Sequence, residues 1–163
     1  MAIHKLILDD DFNNEFSLIA IHCSEKAYKM AYMLNQFVPL QLARKELDLD
    51  FSNNGLEVTF PIFEYEDELS YILYNLVSNK SKSLSAKVHS SGGLFDEITS
   101  EKTVTTYLLN EHKNVDFFLK IYSDYEKVPL RNILSSINKI EQVISAYSIE
   151  IQHLKSKNNL IFN

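Results

Sequence analysis

Residues 47–60 read LDLDFSNNGLEVTF, and their apolar and polar side chains alternate with the period of two that is typical of β-strands. The apolar residues alternate with aspartates before Asn54-Gly55, and with Glu57 and Thr59 after it. Asn54 and Gly55 both tolerate the positive φ that a tight hairpin turn requires. The stretch therefore predicts a β-hairpin.

Five further runs of sequence predict strands. Residues 3–8 and 16–23 are short and rich in Ile and Leu, and the linker between them is too short for a parallel crossover, so an antiparallel pair is expected. Residues 69–77 are apolar on both faces, which favours a central strand over the alternative of a short helix. Residues 103–109 and 115–122 are β-branched and aromatic runs around a five-residue polar connection, so they predict a second hairpin.

Two stretches show helical spacing of apolar residues. Ser24 is the expected N-cap of the first helix, and Pro39 ends it. Pro129 suits the first turn of the second helix. The apolar positions that recur at intervals of three and four are Ala27, Ala31, Leu34 and Val38 in the first helix and Leu130, Ile133, Leu134, Ile137, Ile140 and Ile144 in the second. Residues 145–151 predict a final strand.

The order of these elements predicts an α+β fold, with a mainly antiparallel sheet and two helices packed on one face. The strand, helix and strand over residues 115–151 resemble half of a ferredoxin-like sandwich. A chain of 163 residues with 45% hydrophobic content can bury its own core, which predicts one domain over residues 1–163. Within it, the serine-rich residues 78–93 predict a mobile loop, and residues 153–163 form what we call the C-terminal tail.

Composition excludes several classes of protein. Cys23 is the only cysteine, so neither an intramolecular disulfide nor a cysteine-rich zinc module can form. A net charge of -6 disfavours broad attraction to nucleic acid. Three glycines are too few for a glycine-rich phosphate loop, and no nucleophile elbow is present. We therefore expect no catalytic residue, cofactor or bound metal. The absence of a signal peptide or an apolar run of membrane-spanning length predicts a cytoplasmic protein that does not enter the membrane.

The second predicted hairpin contains the sequence LNEHKNVDF at residues 109–117, which we call the nine-residue motif. A register that aligns Leu109 with Val115 places Asp116 on a partly apolar strand face, where an unpaired carboxylate is costly. Asp116 is therefore expected to accept hydrogen bonds from loop amides or to pair with Lys120. The functional alternative is that Glu111, Asp116 and Phe117 contact a partner or ligand.

The nine-residue motif resembles the signature Ile-Pro-Glu, three variable residues, Val-Asp-Tyr, for which the bacterial IPExxxVDY family is named. Glu111, Val115 and Asp116 match the signature, Leu109 and Phe117 are close substitutes, and Asn110 replaces a proline. That replacement removes a rigid ring from the turn. Residues 4–10, 17–22 and 154–162 also resemble the family. The resemblance implies a small cytoplasmic bacterial protein with no assigned activity.

Two other groups of polar residues could in principle bind a metal ion. The antiparallel register expected for residues 3–8 makes His4 and His22 diagonal neighbours on one sheet face, close enough in principle to share a metal. Two ligands would still be missing, so hydrogen-bonded structural histidines are the favoured interpretation. The acidic clusters at residues 9–15 and 64–68 lack a metal-loop pattern and are interpreted as solvated surface.

Three functional hypotheses follow. The leading one is a non-enzymatic module that forms a homodimer or binds a protein partner, using an unpaired strand edge or the apolar anchor Leu160, Ile161 and Phe162. The second is an RNA-associated accessory protein that contacts phosphates through Lys80, Lys82, Lys155 and Lys157. The third is a sensor that binds a small ligand in a cleft between helix and sheet.

Overall fold

A computed structural model of the chain describes residues 16–53, 56–85, 102–124 and 127–162. Their helices are α1 (Ala27–Phe37) and α2 (Leu130–Ile137), with three short 3-10 helices at Asn110–His112, Ile151–His153 and Lys157–Leu160. The strands are β1 (Phe16–His22), β2 (Ala43–Arg44), β3 (Leu49–Asn53), β4 (Leu56–Phe60), β5 (Ile62–Asp67), β6 (Ile72–Ser78), β7 (Lys80–Ser85), β8 (Lys102–Tyr107), β9 (Phe117–Ser123) and β10 (Ser145–Ile149).

Six of these strands form the central sheet, in the order β10-β1-β9-β6-β5-β2. Every neighbouring pair in it is antiparallel. The α+β class and the mainly antiparallel sheet are thus confirmed. The prediction of a central strand at residues 69–77 is also confirmed, although β6 begins only at Ile72 because Leu69 to Tyr71 form the turn that follows β5.

The hairpin predicted from residues 47–60 is confirmed as β3 and β4. Its register pairs Asn53 with Leu56 and Leu49 with Phe60, and the turn residues 54 and 55 lie outside the described part of the chain. The rings of Phe51 and Phe60 meet edge to face at 6.0 Å between centroids. This contact between aromatic rings of neighbouring strands stabilises the hairpin on the face that turns towards the sheet.

Two long strands bend out of the central sheet. β4 runs into β5 through Pro61, and β6 runs into β7 through Asn79. Past the bend, the Ser81 hydroxyl donates to the Thr59 carbonyl at 3.1 Å, which ties β7 to β4. The prediction of a loop at residues 78–93 is therefore wrong for β7, where the backbone ladder to the β-branched strand β8 outweighs the low strand propensity of serine. Residues 86–93 lie outside the described ranges.

The pairing predicted between residues 103–109 and 115–122 is wrong. Both runs are strands, but β8 pairs with β7, whereas β9 lies between β1 and β6. The connection contains the 3-10 turn Asn110–His112, which carries the chain from one layer to the other. A polar connection of five residues does not by itself decide which strand edges meet.

Strand β1 is bonded on both sides, to β9 and to β10. The predicted partner, residues 3–8, lies outside the described residues, and the ladders leave no edge free at Leu18 to Ile21 for the pairing that we expected. β9 and β10 are both antiparallel to β1 and therefore run parallel to each other with β1 between them. Together with α2 they form a split βαβ unit, as half of a ferredoxin-like sandwich requires.

Both helices pack on one face of the sheet, which we call the helix-covered face. Its core includes Met30, Leu34, Ile133 and Ile137 from the helices and Ile19, Ile21, Leu76, Phe117, Leu119 and Ile121 from the sheet. Two details of the helices differ from expectation. Lys26, not Ser24, is the N-cap of α1 and makes no side-chain cap, and α2 ends at Ile137, so that Ile144 is exposed.

The opposite side of the sheet, which we call the tail-covered face, has a smaller core. The strand residues Leu18, Ala20, Val77 and Phe118 pack there against Val58 and Phe60 of the hairpin and against Leu154 and Leu160 of the C-terminal tail. The cover on this face is thus a hairpin and short turns instead of helices. Within the described ranges, no helix is long and apolar enough to cross a bilayer.

Candidate interaction site

The nine-residue motif is fastened by Asn79, which is fully buried at the bend between β6 and β7. The Asn79 amide group donates to the carbonyls of His112 and Val115 at 2.8 and 3.0 Å, and its side-chain oxygen accepts from the Leu109 N–H at 2.8 Å. The backbone of Asn79 also bonds to Asp116 and Leu108. A single side chain therefore satisfies three polar backbone groups of a turn that is otherwise irregular.

Asp116 joins the motif to the start of the helical segment. One carboxylate oxygen accepts from the Cys23 backbone N–H at 2.9 Å, and the other lies 2.8 Å from Lys80 Nζ. A loop amide is thus its partner, as one of the two structural interpretations anticipated, but the lysine is Lys80 and not Lys120. Phe117 is buried beneath the helices. Burial raises the pKa of the neighbouring Cys23 thiol, which disfavours a reactive thiolate.

Glu111 connects the motif to the C-terminal tail. Its two oxygens accept from the Ser156 backbone N–H at 2.9 Å and from the Ser156 hydroxyl at 2.8 Å. Partial burial alone would raise the pKa of Glu111, but the hydrogen bonds from Ser156 outweigh that effect and hold the pKa below its usual value. The carboxylate is therefore charged at neutral pH and binds the tail in that form.

A second attachment of the tail is made by Lys120 of β9. Its Nζ donates to the Leu160 carbonyl at 2.8 Å and lies 5.0 Å from the centre of the Phe162 ring and 4.8 Å from that of Phe16. Burial lowers the pKa of Lys120. The contact orders the end of the chain, so that Leu160 is fully buried, Phe162 is half-buried and Ile161 is left 60% exposed.

The exposed Ile161 faces an open cavity of about 530 Å³, which we call the groove. Ile161 and Phe162 of the tail line it together with the segment 44–50 and Ile62. Leu47, which is one of these lining residues, is 79% exposed. Large exposed apolar side chains that are grouped in one depression are a feature of surfaces that bind other proteins.

The charged residues around the groove are only partly paired. The Arg44 guanidinium contacts the Asp48 carboxylate, and Lys45 Nζ lies 3.2 Å from Glu64, which also accepts from the Asn75 amide at 2.9 Å. Glu46 and Asp50 are exposed. The segment 44–50 therefore carries cations at its first residues and carboxylates further along.

The outer edge of β10 is occupied at Ala146 by a side chain. The Asn138 amide donates to the Ala146 carbonyl at 3.0 Å and accepts from the Ala146 N–H at 2.9 Å, as a neighbouring strand would. At the other end of the sheet, β2 is only two residues long. A blocked position and a very short edge strand are two features that disfavour the addition of a further strand at these places.

A second cavity, of about 760 Å³, lies at the ends of β1, β9 and β10. Phe16, Ile121, Ile149, Glu150 and Lys157 are among its lining residues. It is large enough for a small ligand. Its volume alone does not identify a ligand.

The four lysines of the RNA hypothesis differ in their surroundings. Lys80 is paired with Asp116, and Lys157 Nζ lies 5.9 Å from the centre of the Phe16 ring, whereas Lys82 and Lys155 are exposed.

His22 bonds to the Tyr147 hydroxyl at 3.1 Å, and its predicted neighbour His4 lies outside the described residues. In the part of the chain that the structure covers, no group of three His, Cys, Asp or Glu residues is arranged to hold a metal ion.

Three residues that matter here were not singled out from the sequence. Asn79 was assigned to a loop, Lys120 was considered only as a partner of Asp116, and Leu47 was counted as a strand residue. An asparagine between two strands is a signal for a bend, since its side chain can bond to the backbone of a turn.

Comparisons with protein-family models, with curated proteins and with solved structures find no match to this chain, so its resemblance to the IPExxxVDY family stays a prediction.

Proposed function

We propose that this protein is a non-enzymatic interaction module, and that the occupant of its groove is a second copy of the same chain. The observation that carries the proposal is the pair Leu47 and Ile161, which are 79% and 60% exposed and line the same cavity. In a two-fold arrangement, Ile161 of each copy packs on Leu47 of the other, so that one contact is made twice. Both side chains are then removed from water.

The charges of the groove support a second copy as the occupant. A two-fold axis perpendicular to the segment 44–50 places it antiparallel to its copy, which brings the basic end of one segment to the acidic end of the other. Arg44 is 44% exposed, so its guanidinium keeps donors beyond those used by Asp48. The exposed Asp50 carboxylate of the other copy is an acceptor of matching charge. This local complementarity offsets the repulsion between two chains of net charge -6.

Sedimentation or light scattering over a range of concentrations tests the proposal. We expect a dimer with a dissociation constant on the order of 10 to 100 μM, since two apolar anchors fall short of a standard interface. Leu47→Ser and Ile161→Ser should each weaken it at least about tenfold through lost apolar burial. Asp50→Lys should weaken the dimer less than either serine variant does. Its effect should be larger at low salt than at high salt, because ions screen an exposed contact.

The matched control is Leu69→Ser, because Leu69 is 92% exposed but lies at the turn after β5, outside the groove. It should leave the dissociation constant unchanged. A wild-type chain that stays monomeric at millimolar concentration would contradict the proposal, as would a dimer equally weakened by Leu69→Ser. No contact favours the RNA or small-ligand hypothesis over this one, and both stay predictions.

A further inference from the structure

Ile161 belongs to a segment with little regular structure of its own. The C-terminal tail begins at the end of one short 3-10 turn, contains a second at Lys157–Leu160, and joins none of the strand ladders in the described ranges. Its position is therefore set by its contacts with the rest of the molecule. These contacts are the buried side chains Leu154 and Leu160 and a few hydrogen bonds.

The polar contacts of the tail converge on the nine-residue motif and the strand that follows it. Glu111 accepts both donors of Ser156, the Asn159 amide donates to the Leu108 carbonyl at 2.8 Å, and Lys120 holds the Leu160 carbonyl and the Phe162 ring. Leu108 and Lys120 flank the motif at its two ends. The motif and its flanks thus form the surface to which the tail binds.

Docking of the tail and formation of the groove are the same structural event. Ile161 follows directly on the buried Leu160, so release of Leu160 from the sheet also removes Ile161 from the lining of the groove. A ligand that binds only one conformation shifts the population towards it. A second copy that binds the groove must therefore favour the docked tail.

We infer that the motif acts as a latch for self-association: Glu111 and Lys120 hold the C-terminal tail in the one position in which the groove exists, and release of the tail dissociates the dimer. This inference rests on the proposed function and adds its regulation. Glu111, which the sequence offered as a contact for a partner or ligand, acts on the interface as a positioning residue through Ser156. The apparent affinity of the dimer therefore falls when the fraction of chains with a docked tail falls.

Hydrogen exchange of the tail, measured together with the dissociation constant on the full-length chain, tests the latch. Glu111→Ala should speed exchange of the Ser156 amide about tenfold, because a charged acceptor is lost, and Ser156→Ala should have a smaller effect because the backbone N–H keeps its bond. Glu111→Ala combined with Lys120→Met should release the tail further and weaken the dimer about fivefold or more. In the wild type, exchange of the tail should slow as concentration rises through the dissociation constant.

Glu150→Ala is the matched control, because Glu150 is an exposed carboxylate next to the tail that pairs with the exposed His153. It should change neither the hydrogen exchange of the tail nor the dissociation constant of the dimer. A wild-type monomer at every concentration overturns the proposed function and the latch with it. A wild-type dimer that the double variant leaves intact, or a tail whose exchange Glu111→Ala does not alter, overturns the latch alone.

Discussion

The two faces of the central sheet are covered by different kinds of structure. The helix-covered face meets two amphipathic helices, and among the described residues, to which both counts here refer, its core joins 21 buried residues in one cluster. The tail-covered face meets a hairpin and short turns, its cluster has 12 buried residues, and the polar side chains Lys120, Asn75 and Glu64 lie side by side across its strands. The first face is held by apolar packing and the second by packing together with specific hydrogen bonds.

The two faces therefore differ in how easily their cover can open. A helix that buries one stripe of side chains can leave the sheet only by losing the whole stripe, so its opening is close to global unfolding. The tail is held by two leucines and a few polar contacts, so it can open locally at a smaller cost. We therefore expect the interaction surface on the tail-covered face, where local opening of the tail changes which side chains are exposed.

The sharpest test of the comparison replaces one fully buried leucine on each face. Leu119 and Leu160 are both 0% exposed. Leu119→Ala leaves a cavity between β9 and the helices, where the rigid surroundings cannot collapse, and should lower the free energy of unfolding by about 4 kcal/mol. Leu160→Ala should lower it by about 2.5 kcal/mol, because the tail can move to fill the space. Urea unfolding measures both values.

Exchange of the tail amides distinguishes the two variants further. Leu160→Ala should speed exchange in the tail selectively, whereas Leu119→Ala should speed the slowest amides of the sheet because it lowers global stability. Equal losses of stability, together with equal exchange patterns, would remove the distinction between the two faces.

The second test concerns the hydrogen bonds that replace apolar packing. Asn79→Ala leaves the Leu109 N–H and the carbonyls of His112 and Val115 without their side-chain partner. We expect a loss of about 3 kcal/mol, since each unsatisfied buried polar group costs about 1 to 3 kcal/mol and water can reach part of the turn. The exposed Asn158 offers the control Asn158→Ala, which should cost under about 0.5 kcal/mol. A similar small loss for Asn79→Ala would show that the bend is held by packing alone.

The smallest expected effect is the pH dependence of the tail contact. The folded pKa of Glu111 lies below its ordinary value of 4.5, so the contact stabilises the protein above that pH and is lost as pH falls through the folded pKa. The difference in unfolding free energy between wild type and Glu111→Gln should therefore be greatest near neutral pH and shrink below about pH 4.5. It should stay under about 1 kcal/mol because the carboxylate is largely exposed. A difference that does not change between pH 7 and pH 3 would contradict a charged Glu111–Ser156 contact.

The local elements could be read from the sequence because each depends on a short pattern. The β3–β4 hairpin follows from a period of two around Asn54-Gly55, and α2 follows from a stripe at three and four. Pairing between distant strands was not predictable in the same way. β8 and β9 have the composition of a hairpin, yet each pairs elsewhere, because the 3-10 turn and the bend at Asn79 direct them into different layers.

The candidate site shows the same limit. The sequence marked the tail as an apolar anchor and Glu111 and Asp116 as polar residues in need of partners. It did not show that Leu160 is buried while Ile161 is exposed, nor that Leu47 lines the same cavity as Ile161. The position of the tail depends on hydrogen bonds between residues 40 to 51 positions apart.

By itself, the sequence determined the α+β class, the positions of the helices and the absence of a thiol pair or a phosphate loop, because these depend on residue types and on spacings within one element. The tertiary structure decided which strands are neighbours, which charged groups meet and where the groove opens. The physical reason is that burial and hydrogen-bond partners are properties of the whole packed chain: Glu111 and Ser156 are 45 residues apart in sequence but 2.8 Å apart in the folded protein.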